Sequence, residues 1–274
     1  MTILVTGATG TIGHRVVDQL ARRRHPVRAL TRRAPQARLP ARVEVVEGDL
    51  TRPDTLGPAL RGVSALHLIA MAGDDYRPLE GAPEIVAAAV DAGVKRITVL
   101  TGTDDELAVV RAVESSGVDW THVRPLEFMA NKLSWAESIR AEGVVRSGFG
   151  GHVSAMVDEA DVAAVIVAAL TEDGHSGETY TPTGPEALSR FDAARIIGEV
   201  IGRPVRFHEL TEAEVRSQMR DMGVEPDVID FVVGYEASPP PEASRVAAVV
   251  EQVTGRPPRD FAAWVAVHAD AFLP

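Results

Sequence analysis

Three glycines, at residues 7, 10 and 13 of Thr6-Gly7-Ala8-Thr9-Gly10-Thr11-Ile12-Gly13, have the spacing of a loop that holds an anion. Each does something different in such a loop. Gly7 permits a tight turn from strand to helix, Gly10 lets the backbone approach a pyrophosphate, and Gly13 allows a helix to pack closely on a sheet. A helix opening here presents free N–H groups and a partial positive charge to phosphate. The loop therefore predicts a dinucleotide site, with a ligand-free turn as the competing reading.

The end of the next apolar run decides which dinucleotide. A site that prefers NAD carries Asp or Glu about 20 residues past the loop, to accept hydrogen bonds from the ribose. Here the run ends Leu30-Thr31-Arg32-Arg33, with no acid. A guanidinium makes bidentate, charge-assisted hydrogen bonds to phosphate, so the expected cofactor is NADP, with Arg32 as the principal contact and Arg33 as a second. Solvated loop charge is the alternative for both. Farther on, Gly48-Asp49-Leu50 places Asp49 to reach an adenine edge.

Other chemistry is closed off by residue type. Without a single cysteine the chain has no disulfide, no thiolate nucleophile and no Cys-ligated zinc or iron–sulfur centre. Its eight histidines, His14, His25, His67, His122, His152, His175, His208 and His268, show no spacing of a metal site, so no metal is expected.

These residues need a scaffold. The runs Ile3 to Thr6, Val27 to Thr31, Val43 to Glu47, Ala65 to Ala70, Ile97 to Leu100 and Trp120 to Val123 alternate with helical patterns, the rhythm of βαβ units and a parallel sheet buried on both faces. Ile12, Val16, Val17 and Leu20 share one helical face, and Arg22, Arg23 and Arg24 complement the dipole at its far end. Past Pro125 the glycines at 143, 148, 150 and 151 loosen the pattern. Asp158 and Asp161 read as acids of a helix start ahead of a buried apolar run, Val162 to Leu170, and Ser189 as a cap for Arg190 to Val200. The expected fold is α/β, a Rossmann-type doubly wound parallel sheet with a small C-terminal lobe. Residues 1–125 form the NADP-binding core, and 126–274 complete it and build a smaller substrate-binding lobe.

Composition bounds the partners. With 274 residues, 45% of them hydrophobic, the chain can bury one substantial core. A net charge of −11 repels phosphate backbones, so no nucleic-acid partner is expected. The apolar stretches fall short of the roughly 20 residues a membrane helix requires. The N-terminus, MTILVTGATG, lacks the basic region and cleavage site of a secretory signal, and a cytoplasmic protein is expected.

TGATGTIG, VRALTRR, GDL, AGVKRITVLT, DWTHVRPLEFMAN, MVDEADVAAV, TPTGPEALS and GRPPRDFAAWVAVHADAF together resemble the NmrA-like family of atypical short-chain dehydrogenases, over nearly the whole chain. The resemblance implies a Rossmann domain that binds NADP and a small lobe forming a cleft above the nicotinamide. It implies that Gly7, Thr9, Gly10, Thr11 and Ile12 hold the pyrophosphate and Arg32 the 2'-phosphate. Asp49 and Leu50 would flank adenine, and Met71, Ala72 and Thr101 would line the ribose and nicotinamide side. Such families hold both quinone or azo reductases and NADP-sensing regulators without turnover. Where many relatives have Gly-Phe-Phe-Met-Glu-Asn after Arg-Pro, this chain has Leu126-Glu127-Phe128-Met129-Ala130-Asn131, which leaves Glu127 either touching substrate or solvated.

One expected pair is missing. The usual enzyme of that superfamily has Tyr and Lys four residues apart, so that the lysine lowers the tyrosine pKa. Four residues past Tyr76, Tyr180 and Tyr235 stand Glu80, Gly184 and Pro239. Ordinary ketone reduction by that pair is disfavoured. An electron-poor acceptor, a quinone or another conjugated small molecule, takes a hydride into a delocalised system and its proton from water or from a nearby donor. The expectation is an NADPH-dependent reductase of such a molecule; the alternative is a non-catalytic NADP(H)-sensing regulator acting through a protein partner. The substrate is expected beyond the carboxyl ends of the strands, near Met71, Tyr76, Thr101, Glu127 and His152, with Tyr76 or His152 as proton donor.

Overall fold

In the computed structural model residues 1–73, 77–102 and 108–274 are described. In chain order the strands are β1 (Thr2–Val5), β2 (Val27–Thr31), β3 (Glu44–Glu47), β4 (Val63–Ile69), β5 (Met71–Ala72), β6 (Arg77–Pro78), β7 (Arg96–Leu100), β8 (Asp119–Val123), β9 (Val144–Gly148), β10 (Val153–Ser154), β11 (Glu178–Tyr180), β12 (Leu188–Ser189) and β13 (Arg206–Leu210). Seven of them form one sheet in the order β11-β8-β7-β4-β1-β2-β3. Every neighbouring pair is parallel, as the six apolar runs predict. From the adjacent pair β1 and β4 the strand order runs outward in opposite directions, which is the topological switch point of a doubly wound, Rossmann-type sheet.

The chain divides into two compact units. The first comprises Met1–Pro125, Glu159–Pro182 and Val249–Arg256 and contains the whole seven-stranded sheet. Leu66 and Leu68 of β4 and Ile97 and Val99 of β7 join Ile85, Val86, Val109 and Val113 in one buried cluster. The helix Thr11–Arg22 buries Ile12, Val16, Val17 and Leu20, the face that the periodicity marks, and packs against the helix Glu159–Thr171. Gln19 Nε2 donates to Ala160 O at 2.7 Å between them. That second helix is buried on all sides from Val162 to Leu170, which explains why its apolar residues run on without a polar face. β3 departs from the expected burial on both faces: its residues are exposed or half-buried, because an edge strand is covered on one side only.

The acids at the start of that helix do more than begin it. Asp158 Oδ2 lies 2.6 Å from Arg259 Nη1, and Asp161 Oδ1 lies 3.3 Å from Arg256 Nη2. Both carboxylates are buried, and a buried charge requires such a partner.

The second unit comprises Leu126–Asp158, Thr183–Ala248 and Pro257–Pro274. Trp135, Ile139, Val145, Ile197, Phe261, Trp264 and Phe272 form its core. β13 runs parallel to β9, and β10 antiparallel to β12. Ser189 caps Arg190–Val200 as expected, in a reciprocal box with Asp192. Among the described residues no helix is long and apolar enough to cross a membrane.

Candidate functional site

The glycine loop follows β1 directly. Gly7 takes a left-handed conformation, φ 58°, and a Cβ there would lie 3.1 Å from Ile69 Cδ1. The Gly10 N–H donates to Gly7 O at 2.9 Å, and Gly10 is the residue from which the helix Thr11–Arg22 starts. No side chain caps this helix and no acid stands in its first turn. Its opening N–H groups are therefore left for an outside anion, with the dipole behind them. A Cβ on Gly13 would lie 2.1 Å from Gly7 O, so only glycine lets the helix sit this close to the loop. A Cβ on Gly10 would meet Gly7 O at 3.2 Å, a contact that small shifts relieve. What favours glycine at this exposed position is access from outside, and the loop fits a pyrophosphate. Thr9 and Thr11 are also exposed; Ile12 is buried and can offer a ligand only its backbone.

The other expected cofactor contacts of the first unit lie along the same edge. Val5 of β1 is level with Ala29 and His67, and Ile69 with Leu100, so the residues after β1, β2, β3, β4 and β7 all follow carboxyl ends of parallel strands. Arg32 and Arg33 are exposed just past β2. Asp49 Oδ1 accepts from the Thr51 N–H at 2.9 Å and from the Thr51 hydroxyl at 2.8 Å, which fixes the turn after β3. Leu50 is buried in the sheet's core cluster. Met71 is exposed, and with Ala72 it forms the short strand that pairs with Arg77–Pro78. Thr101 is buried, its hydroxyl donating to Gly102 O at 2.9 Å and its N–H to Val123 O at 3.0 Å. Tyr76 lies outside the described residues.

Glu127 and His152 belong to the second unit, within a set of buried and half-buried polar groups that spacing does not reveal. Glu127 Oε1 lies 2.5 Å from Lys132 Nζ, which also sits 5.1 Å from the Trp135 ring centroid. Burial pushes the Glu127 carboxyl up, but Lys132, the Ser154 hydroxyl and Arg190 outweigh it and hold its pKa below the usual carboxylate value. Glu127 is thus an ion-paired group and not a solvated one. His152 is buried, with Nδ1 3.2 Å from Glu236 Oε2. Arg190 forms an ion pair with the same carboxylate. The Tyr235 ring stands 6.0 Å from that of His152, and burial, reinforced by Glu127 and Glu236, raises the Tyr235 pKa. Lys132, Arg190, Tyr235 and Glu236 are not marked by sequence pattern, because their partners are distant in the chain or, for Lys132, off any helical period. A cavity of about 250 Å³ is lined by Phe149, Gly151, His152, Glu236, Ala237 and Pro239.

A family model described as NAD(P)H-binding matches residues 7–173. The chain is 42% identical over 287 residues to (4-alkanoyl-5-oxo-2,5-dihydrofuran-3-yl)methyl phosphate reductase of Streptomyces griseus, with 99% of each chain covered. It is 38% identical over 284 residues to an NAD(P)H azoreductase of Xenophilus azovorans, covering 98% of this chain and 99% of that one. The crystal structure of an NADPH-dependent quinone oxidoreductase from Escherichia coli, complexed with NADPH, matches with a TM-score of 0.79 at 25% identity, over 98% of this chain and 100% of the other.

Proposed function

We propose an NADPH-dependent reductase of a small electron-poor acceptor, from the premise that this chain belongs to the NAD(P)H-binding family. The observation that carries the reading is the uncapped start of the helix Thr11–Arg22 beside the switch point of the parallel sheet. A pyrophosphate held there, by the N–H groups of the loop from Gly7 through Thr9, Gly10, Thr11 and Ile12, directs the rest of a dinucleotide along the carboxyl edge. Arg32 and Arg33 meet the 2'-phosphate, Asp49 and Leu50 the adenine, and Met71, Ala72 and Thr101 the ribose and nicotinamide side. Because Thr101 already donates its proton to Gly102 O, its role is to position and not to protonate.

When bound, NADPH supplies the hydride. The relatives are named for a dihydrofuran bearing an alkanoyl group and a ring carbonyl, for azo compounds and for quinones. These share a conjugated, electron-poor system that spreads the incoming electron pair, so no Tyr-Lys pair is needed. The proton comes from Tyr76, from His152 or from water. The two relatives that are 42% and 38% identical over 98–99% of this chain are named as reductases, which favours turnover over a regulator that senses NADP(H). The partner is a small molecule and, at a net charge of −11, not a nucleic acid; the cytoplasm is the place where NADPH would reach it.

The test is NADPH consumption across a panel of quinones, azo dyes and unsaturated lactones. Steady loss of NADPH absorbance with at least one acceptor is the expected result. Tight NADPH binding with no turnover across the panel would move the reading to the regulator. Replacing Tyr76 by Phe in the same assay separates it from His152 as donor.

A further inference from the structure

Glu236 occupies a place its own helix disfavours. It stands in the last turn of Pro226–Ala237, where the macrodipole opposes a carboxylate, and no basic residue of that turn offsets it. What holds it comes from elsewhere in the second unit. Arg190 pairs with Glu236 Oε2 and donates to Gly148 O at 2.8 Å, and His152 Nδ1 lies 3.2 Å from the same Oε2 and 3.2 Å from the Glu236 carbonyl. The His152 side chain is 4% exposed.

Two acceptors on one ring nitrogen fix the tautomer: the proton sits on Nδ1 and Nε2 is left for other work. Among the described residues Nε2 has no hydrogen-bond partner, and His152 lines the cavity of about 250 Å³. The loop that delivers the ring is strained. Phe149 has φ 52°, rare for a bulky residue, and is held there by the His152 N–H on Phe149 O at 2.9 Å and the Gly150 N–H on Glu209 Oε1 at 2.8 Å. Such strain persists where the surrounding structure enforces it, and it clusters at working sites.

We propose that Glu236, itself held by Arg190, is a positioning residue that holds the His152 ring by its Nδ1–H, so that a proton carried on Nε2 is delivered to complete acceptor reduction. The proposal rests on the reductase reading above. In that step the acceptor gains two electrons and a hydrogen nucleus as hydride, and then a proton from His152 Nε2. The Nε2–H bond breaks as a new O–H, N–H or C–H bond forms on the acceptor. The neutral ring keeps its Nδ1–H on Glu236 and recovers a proton from water.

The charged and titratable groups around the ring are Glu236, Arg190 and Tyr235, with Glu127 and its partner Lys132 beyond Tyr235. The test reads His152 directly, by nitrogen-15 NMR of its imidazole in the full chain, with His152→Gln assigning the resonances. Glu236→Gln is expected to move the Nδ1 and Nε2 resonances, because the ring loses the carboxylate that holds its Nδ1–H. With the best acceptor it should cut kcat roughly 10- to 100-fold and leave NADPH affinity unchanged. Glu236→Asp, which keeps the carboxylate, should restore much of both. Added to His152→Gln, Glu236→Gln should lower kcat no further. Unmoved nitrogen resonances, or kcat losses that multiply in the double variant, would overturn the proposal. Lack of turnover by the wild-type chain with every acceptor would overturn the reductase reading, while the nitrogen resonances would still decide whether Glu236 holds His152.

Discussion

Thr6 Oγ1 accepts a hydrogen bond from the Ile69 N–H at 3.1 Å, while the Thr6 N–H donates to His67 O at 3.0 Å. One residue thereby ties together the carboxyl ends of β1 and β4, the two strands between which the topology reverses. Thr6→Val keeps the shape and removes the acceptor, leaving the Ile69 N–H unsatisfied at a cost of about 1 to 3 kcal/mol. Urea unfolding should show that loss, and cofactor titration a weaker NADPH affinity. Unchanged values of both would mean that the crevice does not depend on this bond.

Gly13→Ala drives a Cβ into the Gly7 carbonyl, a backbone atom with no rotamer to yield. Overpacking of this kind costs about 1 to 3 kcal/mol, and NADPH binding should weaken with it because the loop must shift. Gly234→Ala is the control: its Cβ meets nothing within 4 Å, it lies inside Pro226–Ala237, and Ala should stabilise the helix by about 0.5 to 1 kcal/mol. Thermal unfolding of the two variants should move in opposite directions.

Arg32→Ala should cost NADPH about 1.5 to 3 kcal/mol of binding, roughly 10- to 150-fold in Kd, by deleting a charge-assisted contact to the 2'-phosphate. NADH, which lacks that phosphate, should bind both proteins alike. Parallel titrations decide it: equal losses for the two cofactors would remove Arg32 from the role.

His67 gives the fold an acid sensitivity. It is fully buried, Nδ1 lies 2.9 Å from Thr98 Oγ1, and burial lowers its pKa from 6.5 to about 3. Between those values the unfolded chain binds a proton that the folded one refuses, so stability falls as pH falls, by about 1.4 kcal/mol per unit from this group alone. Below the folded value the loss levels off. Replacing the pair together, His67→Leu with Thr98→Val, should flatten the decline of urea-unfolding free energy between pH 6.5 and 4.5 by about 2 kcal/mol. Identical slopes for variant and wild type would exclude His67 as the cause.

The first half of the chain is legible because each central strand is a continuous apolar run closed by its own turn signals, and Ile12, Val16, Val17 and Leu20 repeat at helical spacing. β11 is not. Three residues long, exposed or half-buried, it joins the sheet beside β8 after a long excursion, and nothing local in Glu178–Tyr180 marks it as a strand. The same holds for side-chain partners. His152 and Glu236 are separated by 84 positions, and no periodic pattern reaches that far. Asp158 and Asp161 are recognisable as acids at a helix start, yet the arginines that neutralise them come from the C-terminal region.

Each unit is stitched from three separate stretches of chain, and the first is complete only with Val249–Arg256. On the ribosome, a nascent polypeptide that has reached Pro125 already holds six of the seven sheet strands but neither β11 nor the helix Glu159–Thr171 that covers Thr11–Arg22. The apolar face of Thr11–Arg22 therefore waits, uncovered, while most of the message is still being read. This architecture makes synthesis itself a period of exposure, and it denies the protein the option of being cut into a free-standing nucleotide-binding fragment at the point where the strand-helix rhythm ends.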